Sequence, residues 1–322
     1  MTEEQPRAAR SRGADVLRRG RQTLDRVIGQ RTRELEFELA HANAEVERLR
    51  ADNKLREELT AAQAEVGRLR ALADRERRTV NKWKAELRAT RLSLFDPLPG
   101  LDVPDHVRKI IDDTRGEHLT YLGVPELTVL ARQALDADLS GREGLIIEAG
   151  AARGGSAIVM AAAKDKERPM KVYDVFGQIP EPSESDGKDV HKRYREIAEG
   201  GASGIAGETY YGYRDDLFGE VTEAFARHGV PTAEHHIDLV KGLFEDTIQI
   251  DEPVAFAHLD GDWYESTIVC LERIAPHLVT GGRLVLDDYF HWSGCRKAVD
   301  EYFANRPGYL LERRKKVHVV RL

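Results

Sequence analysis

Cysteine is nearly absent from this sequence: Cys270 and Cys295 are the only two in 322 residues. They are too few for a disulfide framework, and neither sits in a Cys/His cluster spaced for zinc, so a reducing compartment is expected. No stretch approaches the roughly 20 consecutive apolar residues of a membrane-spanning helix. The basic residues near the N-terminus have no apolar run behind them to make a secretory signal. A cytoplasmic protein without a membrane span is the expectation. Helix breakers are missing over a long early stretch, since Thr32 to Leu94 contains no proline and a single glycine, Gly67.

Positive charge is scarce in the later part of the chain. Residues 1–94 carry 22 Lys and Arg against 16 Asp and Glu, leaving 27 basic and 40 acidic residues for the remainder. Such asymmetry suggests two physical units. The acidic one is a poor holder of a phosphate backbone, which needs clustered Lys and Arg, so no nucleic-acid partner is expected.

Residues 1–30 are rich in Arg with little apolar periodicity and read as a mobile basic arm. Contact of Arg18, Arg19 and Arg21 with an anionic surface is an alternative to plain solvation. Over residues 31–94 apolar side chains recur at steps of three and four: Leu35, Leu39, Ala42, Val46 and Leu49, then Leu59, Ala62, Val66, Leu69 and Ala73, with Val80, Trp83 and Leu87 continuing. That is the seam of a coiled coil, losing phase near Asn53. One helix cannot bury so narrow a stripe alone, so self-association into a homo-oligomer is expected, with docking on the following domain as the alternative.

Asp96-Pro97-Leu98-Pro99-Gly100 ends the helix, and residues 95–322 form the second domain. Here short apolar runs alternate with helical stretches. Strands are expected at Gly144–Glu148, Met170–Val175, Val254–Asp260 and Arg283–Asp288, and helices at Gly155–Lys166 and Glu265–Leu278. Gly281-Gly282 reads as a turn, and Tyr309–Glu312 with Val317–Arg321 as a hairpin. The pattern argues an α/β fold, a doubly wound parallel sheet with a C-terminal antiparallel strand pair.

The first strand runs into Glu148-Ala149-Gly150-Ala151-Ala152-Arg153-Gly154-Gly155-Ser156, after which a helix begins. Glycines let the backbone approach a ligand, and the helix N-terminus offers unpaired N–H groups. The loop has neither the G-x-G-x-x-G spacing of dinucleotide folds nor the Gly-Lys-Ser/Thr of a phosphate loop. Its acid two residues before the first glycine resembles the S-adenosylmethionine loop of class I (Rossmann-like) methyltransferases. Asp174, ending the second strand, is placed to accept from ribose hydroxyls, or else caps its own turn.

Two later strands both end in acid, at His258-Leu259-Asp260-Gly261-Asp262 and at Leu286-Asp287-Asp288-Tyr289. If they are neighbours, about 4.8 Å apart, Asp260, Asp287 and Asp288 crowd together and raise one another's pKa unless a cation neutralises them. Oxygen ligands alone point to magnesium or calcium. The series Leu259-Asp260-Gly261-Asp262-x-Tyr264-Glu265-Ser266-Thr267, Gly281-Gly282, Asp287-Asp288-Tyr289 and Gly294-Cys295-Arg296-x-Ala298-Val299-Asp300 resembles the macrocin, mycinamicin and novobiocin sugar O-methyltransferases. With the glycine loop, the likeness covers most of residues 115–305 and none of the coiled coil.

The resemblance implies an S-adenosylmethionine-dependent, Mg2+-assisted O-methyltransferase acting on a sugar hydroxyl of a glycan or glycosylated natural product. It implies cofactor binding by Thr120, Tyr121, Glu148, Gly150, Arg153, Gly154, Ser156 and Asp174, metal binding by Asp260, Asp287 and Asp288, and Asp262 as general base. His235, His258 and His291 are rival bases. Lys241-Gly242-x-Phe244-x-Asp246-Thr247 matches a further family segment. The family's Asp-Ser-Phe is replaced here by Asp174-Val175-Phe176-Gly177, and a polar insert from Gln178 to about Asp216, with Tyr210, Tyr211 and Tyr213, reads as a mobile lid or as simple packing. The rival functions are a catechol-type O-methyltransferase and a non-catalytic scaffold with a degenerate methyltransferase domain.

Overall fold

The computed structural model describes residues 29–48 and 56–322. The arm expected over residues 1–30 lies outside these but for its last two residues, which are helical, and the break expected near Asn53 lies outside them altogether. The chain divides into two compact units that part between Arg91 and Leu92.

In the first unit, helix α1 covers residues 29–48 and α2 covers Arg56–Phe95. Leu35, Val46, Val66 and Leu69 of the apolar stripe are buried. Asn43 of α1 accepts a long 3.5 Å contact from Arg70 of α2. Trp83, on the same stripe, remains 52% exposed.

The second unit opens with α3 (Asp105–Gly116) and α4 (Val124–Leu139). Then β1 (Leu145–Ala149), α5 (Gly155–Ala163), β2 (Met170–Asp174), α6 (Lys188–Ala198), α7 (Leu217–Arg227), β3 (Ile237–Lys241), α8 (Phe244–Thr247), β4 (Val254–Leu259) and α9 (Tyr264–Ile274) alternate. The chain closes with β5 (Leu278–Leu286), α10 (Ser293–Phe303), β6 (Tyr309–Arg313) and β7 (Val317–Arg321). The strands form one sheet in the order β3-β2-β1-β4-β5-β7-β6. Strands β1 to β5 pair in parallel, and β7 runs antiparallel to both its neighbours.

Because side chains alternate across a strand, Ile146, Met170, Val172, Phe256 and Val285 meet helices α3, α4, α5 and α7 on one face. Leu145, Ile147, Ala149, Tyr173, Ala257, Leu259, Leu284 and Leu286 meet α9 and α10 on the other. Both faces being covered explains why β1 and β4 are buried at every position. Each fully buried aliphatic side chain contributes roughly 1.5–3 kcal/mol.

One element departs from the sequence reading. Gly281-Gly282 is no turn: β5 runs through it, and its register against β4 slips between the Val254–Leu278 and Phe256–Arg283 pairs. The extra residues form a bulge, and a Cβ at Gly282 would lie 2.7 Å from the Val279 carbonyl oxygen. The C-terminal hairpin forms as expected.

The insert after β2 carries structure of its own. It contains α6 and a small core of Ile197, Ala202 and Tyr210, with Ile179, Tyr211 and Tyr213 packed against it. Trp263 donates from its indole to Pro180 O at 3.0 Å, and Asp186 accepts from the amide of Tyr264 at 2.8 Å.

Candidate active site

The strand order reverses between β1 and β4, and a crevice opens there at the carboxyl ends of the strands. Ala149, Leu259 and Leu286 are level in the sheet. Gly150, Asp260 and Asp287, one residue further along each strand, therefore emerge side by side. A cavity of about 560 Å³ fills the crevice, walled by both acid-bearing loops, by Thr120 to Gly123 and by the insert.

The glycine loop follows from close packing. Gly150 has φ +95°, and a Cβ there would overlap the carbonyl oxygen of Asp260. Its successors are held by Asp174, whose Oδ2 accepts from the amides of Ala151 and Ala152, both at 2.8 Å, while Oδ1 accepts from Phe176 at 2.6 Å. Burial raises the Asp174 pKa, partly offset by these three amides. Gly155 N donates to Leu119 O at 3.0 Å, bringing Thr120 and Tyr121 against the start of α5.

Glu148 is fully buried beneath the loop. It accepts from Ser156 Oγ through one oxygen and, through the other, pairs with His258 Nδ1 at 3.0 Å. The other ring nitrogen of His258 lies 3.7 Å from Asp287, too far for a hydrogen bond but close enough for an ion pair. Burial works to lower the His258 pKa, but Glu148 and Asp287 outweigh it and raise it to about 9. His258 bridges these two carboxylates and is not among the residues that line the cavity.

The carboxylates divide unexpectedly. Asp260, Asp262 and Asp288 each present an oxygen, and the three atoms lie within 4.8 Å of one another. Burial and then mutual repulsion, chiefly from Asp288, raise Asp260 and Asp262 well above the usual carboxylate range. Asp262 takes a left-handed φ of +55°, and its amide donates to Asp288 Oδ2 at 3.2 Å. Asp287 instead meets Lys316 Nζ at 2.5 Å. Burial tends to raise its pKa, yet the His258 and Lys316 cations hold it below the ordinary value.

Of the residues singled out from the sequence, Thr120, Tyr121, Gly150, Ser156, Asp174, Asp260, Asp262, Asp287, Asp288 and His291 line the cavity. Glu148, Arg153 and Gly154 stand behind it. Gly154 caps α5 in the left-handed conformation, and Arg153 turns to His118 O at 3.0 Å and Glu208 at 2.7 Å. His235 lies elsewhere, at the amino end of β3, where its carbonyl accepts from Lys164 at 2.7 Å. Sequence reasoning missed Lys316, visible only as part of a basic turn, and Arg193, carried into the cavity wall by α6.

The family model described as Macrocin-O-methyltransferase (TylF) matches residues 101–307. An enzyme of Streptomyces olivaceus, 8-demethyl-8-(2,3-dimethoxy-alpha-L-rhamnosyl)-tetracenomycin-C 4'-O-methyltransferase, is 32% identical over 214 residues, 64% of this chain and 72% of that one. The mycinamicin III 3''-O-methyltransferase of Micromonospora griseorubida is 27% identical, over 57% of this chain and 69% of its own. The solved structure of the O-methyltransferase NovP shares the fold, with a TM-score of 0.53 at 24% identity over 65% of this chain and 87% of that one. With its strand order, its glycine loop and a family match over most of its length, the chain belongs to the macrocin O-methyltransferase (TylF) family and is an S-adenosylmethionine-dependent O-methyltransferase.

Proposed function

We propose that the chain methylates a sugar hydroxyl of a glycan or glycosylated natural product, with a divalent cation, magnesium by preference, held among Asp260, Asp287 and Asp288. The observation that supports a metal is the crowding of like charges at this end of the crevice: Asp260 and Asp288 converge within 4.8 Å with Asp262 beside them, while Asp287, the remaining member of the proposed set, is turned to Lys316. Carboxylates so close are stable together only when protonated or neutralised, and an all-oxygen donor set suits a hard cation. The sugar acceptor is supported by the relatives' names, one of which carries a rhamnosyl group.

A sugar hydroxyl is a weak nucleophile because little of it is ionised near neutral pH. Bound magnesium would lower that pKa and help orient the oxygen. Asp262, which lines the cavity and whose amide donates to Asp288, would take the proton. Thr120, Tyr121, Gly150, Ser156 and Asp174 line the same cavity, and the cofactor would sit against them. Trp263, Trp292, Tyr210 and Tyr211 line the cavity together with Asp262.

We read residues 1–30 as a basic arm, 31–94 as a coiled coil and 95–322 as the catalytic domain. The half-exposed Trp83 on the apolar stripe supports self-association through the helices. The protein is expected to act in the cytoplasm.

The deciding experiment offers glycosides and catechols with S-adenosylmethionine, with magnesium or after chelation, and reads methyl transfer by mass spectrometry. Transfer to glycosides that chelation abolishes is the expected result. Transfer to catechols alone would overturn the sugar reading, and transfer indifferent to chelation would overturn the metal. Calorimetric titration with S-adenosylmethionine addresses the scaffold alternative, and heat of binding is expected.

A further inference from the structure

Lys316 stands outside residues 101–307, the span matched by the family model, yet its side chain lines the cavity. The turn between β6 and β7 carries it there, closed by the Arg314 amide donating to Lys316 O at 3.0 Å. The preceding Lys315 pairs with Glu126 of α4, fixing the turn against the opposite wall. Lys316 Nζ donates to Asp287 Oδ2 at 2.5 Å and to the Asp287 carbonyl at 3.0 Å. Both partners are close to nine-tenths buried, with side-chain exposures of 12% and 11%. This is therefore not a solvent-screened surface pair of negligible weight.

Asp287 already has one cation, His258, beside its other oxygen at 3.7 Å. Asp287 thus has two positive neighbours, while among the described residues Asp260, Asp262 and Asp288 form no ion pair. We propose that Lys316 competes with a divalent cation for the Asp287 carboxylate and so sets how tightly the site holds that ion. The inference rests on the metal-assisted reading above. An oxygen engaged by an ammonium at hydrogen-bond distance cannot give its full charge to a second cation. Each bound cation weakens the other, and the coupling is reciprocal. Lysine suits this role better than arginine: its charge is compact, its donors rotate, and a flexible four-carbon stem lets the head group move while the backbone stays fixed.

The test titrates the full-length protein with Mn2+ by calorimetry, with free Mn2+ followed by electron paramagnetic resonance, for wild type and for Lys316→Met, Lys316→Gln and Lys316→Arg. Circular-dichroism melting establishes that each is folded, and the Gln variant keeps a donor to Asp287 should the Met variant misfold. Removing the charge is expected to tighten Mn2+ binding about tenfold in the Met and Gln variants, while Arg stays within about twofold of wild type. Unchanged or weaker affinity in Met and Gln, with wild-type binding intact, overturns the competition and leaves the metal reading standing. Absence of Mn2+ binding in wild type and every variant overturns both.

Discussion

On the β1–β2 side of the crevice the acids are answered by the protein itself: Asp174 by three backbone amides, Glu148 by Ser156 and His258. On the β4–β5 side, Asp260, Asp262 and Asp288 face one another. The first arrangement fixes a shape, and the second crowds three carboxyl groups that form no ion pair with a cation among the described residues. Substitutions on the first side should therefore cost stability, and on the second should cost activity while sparing the fold.

The largest effect is expected at Asp262. Asp262→Asn keeps the shape and removes the base, so turnover should fall by about 100-fold or more, the scale of general-base catalysis. Affinity for S-adenosylmethionine and the melting temperature should hold or rise, because one of the crowded charges is gone. Turnover within a factor of a few of wild type would show that the proton leaves by another route.

Asp174→Ala should behave in the opposite way. Three amides lose their acceptor together, and unmade buried hydrogen bonds cost ~1–3 kcal/mol each, so a loss of about 3 kcal/mol or more in urea unfolding is expected. A variant as stable as wild type but unable to bind S-adenosylmethionine would instead make Asp174 a direct cofactor ligand alone.

The pH dependence tests the buried cation between the two sides. The folded-state pKa of His258 is raised from 6.5 to about 9. Its contribution to stability is therefore complete below about pH 6.5 and is lost as pH rises through 9, amounting to on the order of 3 kcal/mol. Denaturation midpoints should fall between about pH 7 and pH 9.5, and His258→Gln should flatten that fall. An equally steep fall in the variant would assign the effect to other groups.

The sequence made the crevice legible and its internal pairing illegible, for a physical reason. Alternating apolar runs locate strands because both faces of the sheet must be buried, and acids at strand ends emerge together because parallel strands share one polarity. Which acid meets which cation depends on contacts far apart in the chain, such as Asp287 with Lys316 across the β6–β7 turn. No periodicity encodes that. Gly281-Gly282 misled for a related reason: two glycines mark a turn and a bulge equally well, and only the register of β5 against β4 separates them. The insert looked polar and loop-like because its core is small, built from α6 and three tyrosines rather than from a repeating stripe.

The smallest expected effect concerns how that insert is tied to the β1 side. Glu208 of the insert reaches His118 Nδ1 at 2.8 Å and Arg153 at 2.7 Å, with Arg214 at 3.6 Å. His118 precedes the Thr120–Gly123 segment and Arg153 belongs to the glycine loop, so one carboxylate links the cover to both flanks of the cofactor end. Its side chain is 38% exposed, so solvent screens these contacts and each is weak. Glu208→Ala should leave the fold intact, raise KM for S-adenosylmethionine by about threefold and speed proteolysis within residues 178–216. Arg153→Ala should act in the same direction, losing its bond to His118 O as well, and the double variant should fall short of the sum of the two single effects, since the Arg153–Glu208 pair is lost in both. Additive losses would mean that Arg153 also acts on the cofactor directly, and the β1 side would then be less self-contained than its hydrogen bonds make it.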